Sequence, residues 1–585
     1  MSEPREPPTP RRTLLRARPL ACILLCAAAL RLAHWGAVRD EPFVARPAMD
    51  SAEYDRWARE LAAGDWIGRE PFFQAPLYPY LLGALYRVAG RSLDLVYLAQ
   101  IALALAALAL VRRAADRALG PPHGLVAAAL GAVYLPWVFH DVQLAKESPA
   151  LLVTALLLER LGAAAAAGDA RRQSSAAAPT LGRWLAAGGA LGLLALLREN
   201  ALLLVPFLAP LALRPRVPRR AALARLAVFL AGVALPMAPV AARNAALGGG
   251  FLPTTFQGGV NLWIGNNPDA DGTYRPLVPG KQVPAQERAE ARRLAEQAEG
   301  RALGDAEVSR HWVGRVLAWA RAEPARFARL QAAKLLLFLT PYEWPDAVDY
   351  YWMKSRSPAL ALPGLEWGAL LPLAAAGLVL ARRRRRELAP LLLFELGWLV
   401  ATVAFFLFAR YRLPAVPGLL ALAAVPVVAL GDAWRAGRRS GAALGAAAVV
   451  AAWLAPHTLG YAPRGELVEF NLGRIAEEEG DAAAARRHYR RALAADPEFF
   501  LAAMNLGTLA ARGGDLAAGT RWLAEAVRLE PRSDDAWANL GAARLASGDL
   551  DGARRALERA LALNPRHAAA RSNRELLARR VRAAS

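Results

Sequence analysis

The sequence predicts an all-α protein: a polytopic bundle of about eleven transmembrane helices within residues 1–460, followed by an α-solenoid within residues 461–585. Three observations predict this architecture: long apolar runs, arginine clusters in alternate connections, and a 34-residue repeat near the C-terminus. Hydrophobic residues are 55% of the 585 residues, which excludes a disordered chain. Cys22 and Cys26 lie one helical turn apart, which predicts two small buried side chains instead of a disulfide or a metal site.

Each apolar run is close to the roughly 17–25 residues that a helix needs to cross a bilayer. The stretch 182–213 is compatible with two spans or with one re-entrant element, so the span count holds to within about one or two. The predicted spans are 20–37, 93–111, 121–138, 147–162, 182–197, 200–213, 223–242, 363–381, 389–408, 413–430 and 442–459.

The net charge of +22 comes mainly from arginine, and the arginine clusters fall in every second connection between the spans. Basic residues accumulate in cytoplasmic loops, so we expect these connections and the N-terminus to be cytoplasmic. A nucleic-acid-binding protein would instead carry one basic face with stacking aromatic residues, which excludes that class. The clusters lie at residues 11–18, 112–113, 171–172, 214–220, 382–386 and 435–439.

The remaining connections are then predicted to lie outside the cytoplasmic (inner) membrane, together with everything after residue 460. Two of them are long: the first outer loop, residues 38–92, and the large outer loop, residues 243–362.

Four columns of residues recur with a period of 34 in the C-terminal part. Such a period resembles the tetratricopeptide repeat, a helix-turn-helix unit, with units near 466–497, 500–531 and 534–565 and a capping helix at 568–581. The resemblance implies that the array binds a peptide or protein partner in its groove; a stabilising cap without a partner is the alternative. The columns are Asn471, Asn505 and Asn539; Gly473, Gly507 and Gly541; Asp481, Asp515 and Asp549; and Pro497, Pro531 and Pro565.

Five motifs occur in order over roughly residues 14–430, and together they resemble the GT-C fold glycosyltransferases. The nearest branch is the protein O-mannosyltransferase and aminoarabinose-transferase-like group, whose bacterial members often carry tetratricopeptide repeats. The motifs are Asp50-x-x-x-Tyr54, Pro76-Leu77-Tyr78-Pro79-Tyr80, Arg243-Asn244, Gly258 to Leu262 with Gly265 to Pro268, and Arg410-Tyr411-Arg412-Leu413-Pro414.

This resemblance implies a hexosyl- or pentosyltransferase of the cell envelope. A sugar on a polyprenyl phosphate, undecaprenyl phosphate in a bacterium, would pass with inversion to an acceptor glycan, lipid or protein at the outer face. The family uses an acidic residue of the first outer loop as the general base, and Asp50 matches it. A carboxylate within hydrogen-bond reach of the acceptor hydroxyl suits that role. The alternative for Asp50 is a plain helix N-cap.

The family also places an acidic residue in the second outer connection, where it orients the acceptor or holds a metal. Asp141 and Glu147 are rival candidates for this second catalytic position. Asp50, His140 and Asp141 offer oxygen and nitrogen ligands without a metal-binding spacing motif, so a divalent metal stays open and no cofactor is certain.

The phosphate of the donor requires cations on the outer side of the membrane. Arg410, Arg412 and Arg243 lie there against the positive-inside trend, as does Arg198, and they are candidates to bind the phosphate.

The motifs further suggest a donor or acceptor pocket. Gln74 stands where the family often has a charged or histidine residue, which puts a phosphate role for it in doubt. Several acidic and aromatic residues between Tyr342 and Tyr351, Asp346 among them, suit either an acceptor pocket or an interfacial aromatic belt, and the belt is preferred for most of them. The predicted pocket residues are Tyr54, Gln74, Tyr78, His140 and Asn266.

Two other functions fit many spans followed by repeats. A polysaccharide ligase or polymerase of cell-envelope assembly would place its key residues in a large late outer loop, whereas the marked acid here lies in the first. The other alternative is a non-enzymatic membrane scaffold or a transporter, and the spans show no internal duplication of the kind a transporter predicts.

Overall fold

The computed structural model describes residues 10–169, 178–213, 217–457 and 463–584. Within these ranges the regular structure is helical and no β-strand forms, which confirms the all-α prediction. Of the predicted cytoplasmic arginines, Arg171, Arg172, Arg214 and Arg216 lie outside the described residues.

The first half of the chain alternates long helices with the first outer loop. The helices are α1 (Pro10–Val38), α2 (Pro42–Ala45), α3 (Asp50–Ala62), α4 (Leu77–Ala89), α5 (Leu93–Leu119), α6 (His123–Ala132), α7 (Leu135–His140), α8 (Glu147–Asp169), α9 (Ala178–Leu197), α10 (Val205–Leu208) and α11 (Arg219–Ala246). Helices α2 to α4 belong to the first outer loop, and 3₁₀ turns at Glu199–Leu204 and Ala209–Leu213 flank α10.

The large outer loop folds into six helices: α12 (Gln257–Ile264), α13 (Pro284–Glu299), α14 (Asp305–Ala322), α15 (Pro324–Leu339), α16 (Tyr350–Lys354) and α17 (Pro358–Ala361). Four further apolar helices follow the loop: α18 (Trp367–Leu380), α19 (Arg385–Val403), α20 (Val416–Arg435) and α21 (Arg439–His457). A 3₁₀ turn at Ala409–Ala415 precedes α20.

In the described part of the chain, five helices are long and apolar enough to cross a membrane by length and composition. Five further apolar helices are shorter, so the count of about eleven spans stays a prediction. The predicted span 121–138 is broken at Val133–Leu135, where Leu135 N–H bonds the Leu365 carbonyl and Leu365 N–H bonds the Val133 carbonyl. These bonds divert the backbone from a helical ladder. The five long helices are Arg18–Val38, Leu93–Leu119, Glu147–Ala166, Arg219–Ala246 and Ala409–Arg435.

Helix α20 lies at the centre of the bundle, where most of its side chains are buried. It contacts α5, α6, α8, α18, α19 and α21. The backbones of helices α9 and α11 are in direct contact where they cross, because glycines of the two helices face each other there. A Cβ atom on Gly188 would lie 2.0 Å from the Phe229 carbonyl oxygen, so only a residue without a side chain fits.

Helix α1 is attached to the bundle on one side only. Arg31 is fully buried on that side, whereas Cys22 and Cys26 are exposed on α1. The prediction that both cysteines are buried is therefore wrong. Their apolar run identified a helix, but a uniformly apolar helix does not reveal which of its sides packs against neighbours.

Seven helices form the C-terminal part, and the repeats there are confirmed. They are α22 (Gly465–Glu478), α23 (Ala482–Ala495), α24 (Phe500–Arg512), α25 (Leu516–Leu529), α26 (Asp534–Ser547), α27 (Leu550–Leu563) and α28 (Ala568–Ala584).

The turn between the two helices of each unit is formed by the aspartate of the repeat and the glycine directly before it in the sequence. Gly514 has φ +89°, a left-handed value that favours glycine, and the next residue, Asp515, accepts a hydrogen bond from Ala518 N–H at 3.0 Å. The same cap recurs in the other two units, which explains the period of this column. The central glycine of each unit allows close helix packing, since a Cβ atom on Gly473 would lie 2.6 Å from the Tyr489 ring.

We expect Arg31→Ala to destabilise the bundle by about 3–5 kcal/mol, because the fully buried Asp141 carboxylate would lose its ion pair. Thermal unfolding of the purified protein in detergent would measure the loss. A double variant, Arg31→Met with Asp141→Leu, should recover most of the stability, since no charge then remains buried. An unchanged melting temperature for Arg31→Ala would contradict the structural role of the pair.

Candidate active site

Two cavities open beside the start of α3. The four residues that line both are Asp50, Tyr54, Asp346 and Arg410. We call the first the polar cavity; its other walls include Gln74, Lys146, Arg198, Glu199, Gln257, Asn261, Tyr274, Gln282, Glu287, Phe405, Phe406, Phe408 and Tyr411. We call the second the aromatic cavity; its other walls include Pro136, Phe139, His140, Trp344 and Tyr350.

Asp50 is held with its carboxylate between the two cavities. It is the first residue of α3, and its side chain makes no capping bond to the helix. Instead Oδ1 accepts a hydrogen bond from Gln74 Nε2 at 3.2 Å, and Oδ2 accepts one from an Arg410 guanidinium N–H at 2.9 Å. The preceding residue, Met49, has φ +52°, a strained value for a non-glycine residue. The N-cap alternative therefore does not describe Asp50.

Arg410 connects three carboxylates around the cavities. Its guanidinium lies 2.9 Å from Asp50, 2.7 Å from Asp346 and 3.8 Å from Glu147. Its Nε–H is buried and has no partner among the described atoms. The 3₁₀ turn that carries Arg410 is fixed by Ala409 N–H, which bonds the Trp344 carbonyl at 3.0 Å. The arginine is thus attached to the large outer loop that also supplies Asp346.

The two rival second acids have different surroundings. Asp141 is fully buried in an ion pair with Arg31 at 2.7 Å, accepts a hydrogen bond from Ser148 Oγ at 2.7 Å, and lines neither cavity. Glu147 is buried behind Arg410 and accepts a 2.5 Å hydrogen bond from Arg198. Glu147 therefore supports the cations of the site, while the acid that lines both cavities together with Asp50 is Asp346.

Two of the three arginines predicted to bind phosphate lie outside the cavities. Arg412 donates to the carbonyls of Thr340 and Tyr342 and to Glu343 at 2.6–2.9 Å, in a buried position. Arg243 donates to backbone carbonyls of the first outer loop and stacks on the Phe72 ring at 3.6 Å. Both arginines hold loops in place. Sequence position alone predicted these cations for the outer side and did not reveal the partners that occupy them.

Three of the five predicted pocket residues line one of the cavities, and two do not. Tyr54 and Gln74 line the polar cavity, and His140 lines the aromatic cavity. Tyr78 is buried and donates to Gln100 Oε1 at 2.7 Å, away from both cavities. Asn266 is also buried, where its amide bonds the Ala404 carbonyl and accepts from Lys334 at 2.8 Å. Tyr78 and Asn266 are thus structural contacts.

Sequence reasoning missed several residues that the fold brings to the polar cavity. Lys146 lines this cavity, and a lysine beside an acid at the end of a predicted span was a usable signal. Tyr274, Gln282 and Glu287 lie in and beside a polar helix of the large outer loop, where nothing in the sequence distinguishes them.

Two carboxyl groups that line the polar cavity have a raised pKa. Burial raises the pKa of Asp346 to about 6, against the opposing effect of Arg410. Burial also raises the pKa of Glu287 to about 7, against the opposing hydrogen bond from Tyr274. Such values near neutral pH are common at functional sites.

The repeats reach the rim of both cavities. On α22, Asn471 Nδ2 bonds the Ala347 carbonyl at 3.0 Å, and an Arg474 N–H lies 2.9 Å from Met49 Sδ. Ala347 lines the aromatic cavity and Met49 lines the polar cavity, so the first repeat contacts the walls of the site directly.

The metal-ligand set proposed from the sequence is not assembled, because Asp141 is separated from Asp50 by its own ion pair with Arg31. The only group of three candidate metal ligands in the described part of the chain is Asp534, Asp535 and His567 in the last repeat. A lysine already neutralises this group, since Lys281 Nζ of the large outer loop lies 2.5 Å from an Asp535 carboxylate oxygen.

Models of the tetratricopeptide repeat match residues 470–499 and 534–567. The chain is similar to the oligosaccharyltransferase of Archaeoglobus fulgidus, with 14% identity and a TM-score of 0.43, over 80% of this chain and 59% of that enzyme. It is also similar to the first tetratricopeptide domain of Spaghetti (RPAP3) bound to an HSP90 peptide, with 25% identity and a TM-score of 0.20, over 20% of this chain and 95% of that domain. No curated protein sequence matches the chain.

Proposed function

We propose that this protein is an integral membrane glycosyltransferase that moves a sugar from a polyprenyl-phosphate donor to an acceptor hydroxyl. One observation carries the proposal: the Asp50 carboxylate lies where a cation-lined cavity meets an aromatic cavity. The motif resemblance around Asp50 and Arg410 supports the same reaction class.

The polar cavity suits the donor. Arg410, Arg198 and Lys146 line it and supply the positive charge that a phosphate requires when it becomes the leaving group. A bound donor phosphate would compete with Asp50 for Arg410 and thereby free the Asp50 carboxylate.

The chemistry is then a single displacement with inversion at the anomeric carbon. The acceptor oxygen forms the new bond to that carbon, the bond to the phosphate oxygen breaks, and Asp50 takes the hydroxyl proton as general base. The lipid phosphate leaves as an anion, so the step requires no acid. Asp346 acts on Asp50 indirectly, through the arginine that both carboxylates share.

The acceptor, a glycan, lipid or protein, would enter through the aromatic cavity. The first repeat contacts the rim of this cavity through Ala347, so a partner held in the repeat groove would be close to Asp50. We also propose the inner membrane as the location, with the N-terminus and the arginine clusters in the cytoplasm. Residues 1–460 would form the membrane domain and residues 461–585 the external repeat domain.

We expect Asp50→Asn to lower sugar transfer by about 10²–10⁴-fold, because the amide cannot take the acceptor proton. Membranes supplied with a polyprenyl-phosphate sugar and an acceptor extract would give the rate. Glu60→Gln, on an exposed part of the same helix, serves as the matched control and should keep the rate. Full activity of Asp50→Asn at normal expression would instead favour a non-enzymatic scaffold.

We expect the transfer rate to rise as the pH rises through about 6, where Asp346 loses its proton. While Asp346 is protonated, the Arg410 guanidinium pairs with Asp50 and not with Asp346. Ionised Asp346 competes for the same guanidinium and leaves the Asp50 carboxylate more available to the acceptor hydroxyl. A pH profile of kcat/KM would show the inflection. Asp346→Asn should remove it, and an inflection that persists in this variant would assign it to another group.

We expect a reporter that is active only outside the cytoplasm to be active when fused after residue 585. The same reporter fused within the 382–386 arginine cluster should be inactive, because that connection is predicted to be cytoplasmic. The reverse pattern would overturn the proposed orientation.

A further inference from the structure

The polar cavity has one wall that the transfer chemistry does not use. Helix α12, helix α13 and the segment between them contribute it, whereas Lys146 and Arg198 come from the bundle. We call this wall the amide wall; it consists of Gln257, Asn261, Tyr274, Gln282 and Glu287. It contains no arginine or lysine, so it has the opposite character to the phosphate-binding side.

Glu287 is the most deeply buried member of the amide wall, with 4% of its surface exposed. The Tyr274 hydroxyl donates to its Oε1 at 2.9 Å, and burial raises the pKa of this carboxyl to about 7. In the described part of the chain, no cation forms an ion pair with Glu287. A buried carboxyl without a cation is costly unless donors satisfy it.

Gln282 gives a second, independent observation. Its side-chain oxygen is buried and has no hydrogen-bond partner among the described atoms, although the residue lines the cavity. Buried acceptors are nearly always satisfied in native proteins, so an unsatisfied acceptor on a residue that lines a cavity suits a ligand that donates hydrogen bonds.

Aromatic rings complete the surroundings of this space. Phe405, Phe406, Phe408 and Tyr411 line the same cavity as the amide wall. Aromatic faces together with amide and carboxyl acceptors suit a ring that carries hydroxyl groups and apolar C–H faces.

We propose that the amide wall binds the sugar ring of the donor and selects an uncharged, hydroxyl-bearing sugar over a carboxylated one. The inference rests on the proposed function, since it assigns the rest of the donor whose phosphate lies at Arg410. Glu287 and Gln282 accept hydrogen bonds from sugar hydroxyls, and Glu287 is the specificity-determining residue.

Charge explains the direction of the selectivity. A uronic acid ring would bring a carboxylate beside Glu287 and close to Asp50, and like charges in a cavity with little water repel strongly. An amino sugar would instead form an ion pair with Glu287, so we expect it to bind at least as tightly as the neutral sugar.

The experiment measures binding to the purified full-length protein in detergent, at a pH well above about 7, where the Glu287 carboxyl is ionised. The probes are sugar-free polyprenyl phosphate and polyprenyl phosphates carrying a neutral hexose, the matching uronic acid or the matching amino sugar. We expect the parent protein to prefer the hexose over the uronic acid by at least about tenfold. Glu287→Gln should reduce this preference to about threefold or less, since it removes the charge and keeps the shape of the side chain.

Glu290→Gln is the matched control on the same helix, because Glu290 pairs with Arg293 and does not line the cavity. It should keep the preference of the parent. Gln282→Leu is a second variant, expected to weaken binding of the neutral hexosyl donor about tenfold while sugar-free polyprenyl phosphate binds as before. A merely structural role would change the binding of both probes together.

Equal binding of hexose and uronic acid by the parent would overturn the inference. So would an unchanged preference in a folded Glu287→Gln variant, or weaker binding of the amino sugar than of the uronic acid. If the parent binds none of the polyprenyl phosphates, including the sugar-free one, the proposed function itself fails. The two kinds of failure can be told apart, because binding of the sugar-free polyprenyl phosphate tests the proposed function without involving the amide wall.

Discussion

The guanidinium of Arg410 is the charge around which the outer part of this protein is arranged. It lies within 3 Å of Asp50 and Asp346, which come from the first and the large outer loop, and 3.8 Å from Glu147 at the start of α8. Three separate parts of the chain therefore meet at one cation. Because burying several like charges is costly, this cation allows the carboxylates to converge on the same cavities.

Other buried ion pairs hold parts of the fold together and do not lie between the two cavities. Arg31 with Asp141 is a buried pair that lines neither cavity. Arg412 with Glu343 is a second buried pair, of which Glu343 alone lines a cavity, the aromatic one. They join a helix or a loop to the bundle. Arg410 is the cation that lines both cavities, so its ion pairs with Asp50 and Asp346 have space beside them for a ligand.

The repeat array is part of the site's surroundings as well as a separate fold. Its first helix contacts Met49 and Ala347, the neighbours of the two cavity carboxylates, while its last unit holds Lys281 beside the amide wall. Lys281 directly precedes Gln282 in the chain. Movement of the array would therefore reach both the Asp50 side and the Gln282 side of the polar cavity.

The sequence by itself determined the helical fold, the repeat turns and the candidates Asp50, Arg410, Tyr54, Gln74 and His140, because hydrophobic period, charge and motif spacing are local properties. Only the tertiary structure decided that Asp141, Arg412 and Arg243 have structural partners, since a charged residue looks the same in sequence whether paired or free. It also decided that Glu287 and Gln282 reach the cavity. Their places depend on how the large outer loop packs across the bundle, and long-range packing leaves no periodic signal in the chain.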